Sequence, residues 1–122
     1  MNEDPIKAII EAQRVENIRV ADELAQRKLL LRQEAERLAE VFAQADASLV
    51  SVRLFGSLAR EQPITPHSDI DLAVETANFP VLLSLADQSD WDVDLVDLLT
   101  LKDQVRSAVQ REGMVLYEKN QG

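Results

Sequence analysis

The chain has no cysteine, one histidine and three glycines among its 122 residues. Without cysteine there is no disulfide, no thiolate metal site and no thiol nucleophile, and one histidine cannot build a histidine-rich metal cage. Any metal must be held by oxygen. Positive charge is also scarce: 13 Lys and Arg stand against 22 Asp and Glu, a formal net charge of -9. That is the wrong sign for gripping a nucleic-acid backbone by neutralising phosphates, so no direct nucleic-acid partner is expected. No stretch approaches the roughly 20 apolar residues that span a bilayer, and the opening MNEDPIKAII is acidic and lacks the apolar run of a secretory signal. A cytoplasmic location without membrane attachment is the expectation. What remains is ordinary globular material, 46% hydrophobic and 29% charged, of a length that suits one core.

Between Ile6 and Ala47 there is neither Gly nor Pro, and good helix formers dominate. Pro5 after Asp4 suits the first turn of a helix. Leu24, Leu31, Ala35, Leu38, Phe42 and Ala45 fall on one helical face, whereas Ile6, Ile9, Ile10, Val15, Ile18 and Val20 spread around more of the circumference. One unbroken helix of this length would reach roughly 60 Å, far beyond a compact chain of this size. Either the run breaks, or its first half extends to a partner or to a second copy. Residues 1–47 are therefore read as an N-terminal helical arm and 48–122 as the core.

In the core the pattern shortens. Leu49 to Phe55, Asp69 to Glu75 and Trp91 to Leu98 alternate like strands, and Met114 to Glu118 could add a fourth. A short helix is expected from Pro80 to about Ala86. Another is expected to start at a Thr100–Asp103 capping box and to end at Gly113. The fold class is α+β: a small mixed sheet with helices on one side and the long arm attached.

The chemistry concentrates after residue 56. Residues 69 to 101 carry eight acids, Asp69, Asp71, Glu75, Asp87, Asp90, Asp92, Asp94 and Asp97, and no Lys or Arg. Asp69 and Asp71 are two apart on a strand and share a face, and Asp92 or Asp94 on a neighbouring strand could add a third carboxylate. Such a cluster calls for divalent cations, and Mg²⁺ prefers a few carboxylates completed by water and phosphate oxygens. Two such ions can clamp the attacking and leaving oxygens of an in-line transfer to phosphorus. Upstream, Gly56-Ser57 ends a strand, where bare backbone N–H groups and a hydroxyl can meet an anion, and Arg60 could add positive charge.

The run LFGSLAREQPITPHSDIDLAV followed by DVDLVDL resembles the nucleotidyltransferase signature of the DNA polymerase β superfamily. That signature is a Gly-Ser, an Asp-x-Asp about ten residues on, and a third Asp on a later strand. The small, acidic chain is similar to minimal nucleotidyltransferases, in particular the MNT antitoxins paired with HEPN ribonuclease toxins. The resemblance covers about residues 49 to 118. It implies that Gly56 and Ser57 hold the triphosphate of ATP with help from Arg60. It implies also that Asp69 and Asp71 ligate two Mg²⁺ ions, with Asp94 as third ligand and activator of the attacking hydroxyl. Two departures from the pattern stand out: eleven residues rather than ten separate Ser57 from Asp69, and Glu61 occupies a position where many relatives have Gly.

Simpler roles exist for several of these residues. Ser57 could be a helix cap, Asp69 and Asp71 could solvate an edge strand, and Arg60 could be a surface charge. His67 reads as a solvated loop residue, Trp91 as core packing and Asp97 as a turn or cap. The resemblance implies a protein adenylyltransferase that moves AMP from ATP to a tyrosine of a HEPN toxin, the arm forming part of the docking surface. Two alternatives stay open: an antitoxin that acts by binding alone, and transfer to a small molecule of the aminoglycoside kind.

Overall fold

The computed structural model describes residues 4–120. Helix α1 runs unbroken from Pro5 to Ala45, 41 residues, so the run does not break. Asp4 caps it by accepting from the Ile6 amide at 3.0 Å, and Pro5 fills the first turn, where a missing N–H costs nothing. Its two halves differ. From Leu31 to Phe42 the apolar face is buried, with Leu31, Ala35, Leu38 and Phe42 at most 1% exposed. Before Leu24 the helix stands in solvent, held by its own side chains: Arg19 bridges Glu16 and Glu23, and Gln13 donates to Asn17.

The sheet contains β1 (Ser51–Phe55), β2 (Ile70–Glu75), β3 (Val93–Asp97) and β4 (Met114–Glu118) in the order β3-β2-β1-β4. β1 is antiparallel to β2 and β4, whereas β2 and β3 run parallel, joined through α2 (Phe79–Asp87). Alternation along the strands sorts the side chains into two layers. Val52, Leu54, Ile70, Leu72, Val74 and Leu95 meet α1 and α2 in the main core. On the opposite face Ala73 packs with Leu98 and with Val109 of α3 (Asp103–Glu112). Helices α1 and α2 share one side, whereas α3 lies across the other, so the helices are not all on one side as expected.

Two local expectations need correction. Thr100 does not cap α3: its hydroxyl donates back to the Asp97 carbonyl at 2.9 Å, inside a short 3-10 turn, and the helix starts at Asp103 behind Lys102. The 3-10 turn won because Asp97 already caps it, accepting from the Leu99 amide at 3.1 Å. Asp97 is therefore the cap its place on the other face suggested. Strand β3 begins at Val93 rather than Trp91. The Trp91 ring instead lies under the Arg27 guanidinium of α1, 5.3 Å from its centroid.

The junction between α1 and the sheet rests on Asp46, 3% exposed. Its carboxylate accepts from the Ser48 amide at 2.9 Å, the Ser48 hydroxyl at 2.7 Å, Asn78 at 3.2 Å, and the Thr76 hydroxyl. Burial alone would raise its pKa, but those hydrogen bonds outweigh it and hold the carboxyl at about 2. Among the described residues no helix is long and apolar enough to cross a membrane.

Candidate active site

The site assembles where β1 ends. β1 stops at Phe55, opposite Asp71 of β2, and the chain turns into a 3-10 helix over Gly56–Ala59. Gly56 has φ +73°, a left-handed conformation in which glycine suffers no Cβ clash. Its missing side chain has a second consequence: a Cβ there would lie 2.4 Å from Asp71 Oδ2. The turn is packed against the carboxylate, so any group cradled by the backbone of residues 56–57 is also beside Asp71.

Parallel pairing supplies the neighbour on the other side. Asp71 stands in register with Asp94 of β3, and Asp69 lies one step before β2 on the same side of the strand as Asp71. Burial raises the Asp71 carboxyl to about 6, and the negative charges of Asp94 and then Asp69 push it the same way. Asp94, and not Asp92, is the β3 carboxylate whose charge acts on Asp71. The carbonyl of Asp92 accepts from the Ile70 amide at 3.0 Å, a ladder bond that aligns β3 with β2.

Among the described residues no group of three or more acidic or histidine side chains is placed to hold a metal ion. The donor set nonetheless fits a hard dication. It is made of oxygen, carries three like charges around a half-buried member, and would be relieved of that repulsion by Mg²⁺. When bound, Mg²⁺ polarises phosphoryl oxygens and neutralises charge that builds on them.

Gly56 and Arg60 line one hollow of about 190 Å³, whose far wall is α3, through Val105, Ala108, Val109 and Glu112. Ser57 sits inside the turn, its carbonyl accepting from the Arg60 amide at 3.3 Å. The structure thus brings Gly56, Ser57, Asp69, Asp71 and Asp94 to one end of the sheet and puts Arg60 on the rim. His67 is exposed in the loop between the turn and β2, its amide donating to Thr65 Oγ1 at 3.3 Å.

Sequence reasoning missed the residues that hold this loop. Arg32 of α1 donates from Nε to the Leu58 carbonyl at 2.7 Å, and Lys28 donates to the carbonyls of Arg60 and Gln62, the latter at 2.8 Å. These two cations bond the carbonyl side of the turn, which helps keep its amides free for a ligand. Their spacing of four on one helix was a visible signal, but their partners lie about 30 residues downstream and only the fold joins them.

Comparison with known proteins identifies the family. The family model for polymerase β nucleotidyltransferases matches residues 36–122. No curated protein matches. Among solved structures, a putative minimal nucleotidyltransferase is 30% identical, with TM-score 0.57, over 71% of this chain and 93% of that one. A toxin–antitoxin structure with AMP-PNP is 29% identical, with TM-score 0.56, over 70% and 75%. The complex of tri-AMPylated Shewanella oneidensis HEPN toxin with MNT antitoxin is 28% identical, with TM-score 0.51, over 71% and 72%.

Proposed function

The chain belongs to the polymerase β nucleotidyltransferase family, and on that premise we propose that it is an antitoxin that transfers AMP from ATP to a tyrosine hydroxyl of a HEPN toxin. The observation that carries the reading is the packing of the Gly56 turn against Asp71, with Asp94 in register on the next strand. It joins a phosphate cradle to a dication site, the two halves that a metal-chelated triphosphate needs. Solved relatives with AMP-PNP and with an AMPylated HEPN toxin support the choice of nucleotide and acceptor.

In this reading the backbone N–H groups and hydroxyl at Gly56 and Ser57 hold the triphosphate from one side, and Arg60 screens its outer oxygens. Asp69, Asp71 and Asp94 would hold Mg²⁺. Asp94 also accepts the proton of the attacking tyrosine as its oxygen bonds to the α-phosphorus. The bond from that phosphorus to the bridging oxygen breaks in line, and pyrophosphate leaves. A protein located in the cytoplasm would meet ATP, Mg²⁺ and its toxin together.

The intact mass of the protein encoded beside this one, after incubation with the chain, ATP and Mg²⁺, tests the proposal. Mass gains in whole AMP units are expected, and none with an Asp69→Asn, Asp71→Asn variant. Protection from the toxin that survives this double substitution without any mass gain would refute the catalytic mechanism.

A further inference from the structure

The N-terminal half of α1 lies outside the region the family model shares, which begins at residue 36. It carries a seam at coiled-coil spacing: Ile6, Ile10, Gln13, Asn17, Val20 and Leu24, in alternating steps of four and three. Ile6 is 67% exposed, Ile10 46% and Val20 38%, so these three face water in the single chain, while Leu24 is partly buried against the core.

We propose that this seam pairs antiparallel with the same seam of a second copy of the chain. Three features of the molecule select that occupant and that direction. The seam is self-complementary when reversed: Ile6 meets Leu24, Ile10 meets Val20, and Gln13 meets Asn17, so apolar side chains face apolar ones and amides face amides. Each Gln13–Asn17 contact can satisfy a donor and an acceptor, which is the way a polar pair within a seam fixes register.

The second feature is where the stripe leads. Beyond Leu24 the same face becomes the chain's own core, with Leu31, Ala35 and Leu38 buried. A parallel partner in register would have to pass through that core, whereas an antiparallel one ends in front of it. The third is a cleft of about 560 Å³ at that point, walled by Val20, Leu24 and Lys28 of α1 and by Pro63 and Ile64 of the loop. Ile6 of the second copy falls at its mouth.

Charge sets no obstacle of size. Glu16 and Glu23 on one flank are already paired with Arg19 of their own helix. Arg14 meets Arg14 across the dyad only at the solvent rim, where such contacts are weak. The dimer would hold two catalytic cores at opposite ends of a paired rod, their near edges roughly 40 Å apart. It is independent of the acceptor proposed above.

The absence of native cysteine makes the test clean, since every thiol is the one introduced. Single variants Ile10→Cys and Val20→Cys are prepared and joined with a short thiol crosslinker. A mixture of the two is expected to give a covalent dimer, and either alone is not, because like positions lie roughly 15 Å apart along the axis. Sedimentation equilibrium of the unmodified chain should give twice the monomer mass. Val20→Asp, at a position exposed in the single chain, should weaken association by at least about tenfold with unchanged helical circular dichroism. Crosslinking of Ile10→Cys alone would show a parallel pair and overturn the proposal. So would a chain that stays monomeric at high concentration, including one whose arm is needed only to bind the toxin.

Discussion

Replacing Gly56 by Ala adds one methyl group and tests the whole arrangement of the site. The residue sits at φ +73°, where a non-glycine residue pays roughly 1–2 kcal/mol. The new Cβ would lie 2.4 Å from Asp71 Oδ2, well inside contact distance, so either the turn or the carboxylate must move. The two costs together should lower stability by about 2 kcal/mol, or roughly 5–10 °C in Tm. The catalytic cost should be larger. A displacement of about 1 Å at a reacting centre is worth about 100-fold in rate, and both the phosphate turn and a proposed metal ligand are at the contact. The assay is single-turnover AMP transfer, at a temperature where melting shows the variant folded. Leu82→Ala in α2 serves as control. Its side chain is fully buried on the opposite face, so it should lose about 2–5 kcal/mol of stability and keep its transfer rate. A Gly56→Ala protein that transfers AMP within about threefold of the parent would refute the contact as the basis of the site.

Asp71→Asn should separate function from stability in opposite directions: it abolishes transfer, yet in metal-free buffer it raises stability. The gain is about 1 kcal/mol, discounted for the water that still reaches the cluster, because burial and the charges of Asp94 and Asp69 no longer oppose an anion there. For Asp46 the pH dependence has a definite sign. Its folded-state pKa is depressed from 3.8 to about 2, so the stability it contributes is fully present above pH 4 and disappears as pH falls towards 2. Acid titration of the unfolding free energy should show a loss of about 2 kcal/mol in that window, absent in Asp46→Asn. Arg32→Met removes the bond to the Leu58 carbonyl and should raise the apparent KM for ATP by about tenfold with a smaller effect on kcat; an unchanged KM would show that the turn holds its shape without α1.

The α+β class and the site's order along the chain were legible because each depends on short spacing. Strand alternation put Asp69 and Asp71 on one face, and the Gly-Ser at a strand end marked the turn. Which β3 carboxylate joins them was not legible: Asp92 and Asp94 share parity, and only the parallel register opposite Asp71 separates them. The capping-box reading of Thr100 failed because Asp97 offered a nearer cap and captured the turn first. Lys28 and Arg32 were silent for a different reason, since their partners are backbone carbonyls and no side-chain pattern announces a carbonyl. Continuity of α1 could not be decided from propensity either, because no Gly or Pro interrupts a run that exceeds the size of the core.

The distribution of elements over the two sheet faces bears on the acceptor. α1 and α2 occupy one face, where the main core forms. On the face that carries Asp71 and Asp94, α3 is the one helix among the described residues, and it packs through Val109 on Ala73. The hollow by Gly56 and Arg60, about 190 Å³, has a single helical wall and falls below the roughly 300–1,000 Å³ of a pocket that encloses a small ligand. A small acceptor would have few surfaces to orient its hydroxyl against the α-phosphorus, and orientation is where most of the rate would have to come from. A folded protein brings the missing wall with its own hydroxyl already fixed upon it. A hollow with a single helical wall suits the macromolecular acceptor proposed above better than a drug-sized one.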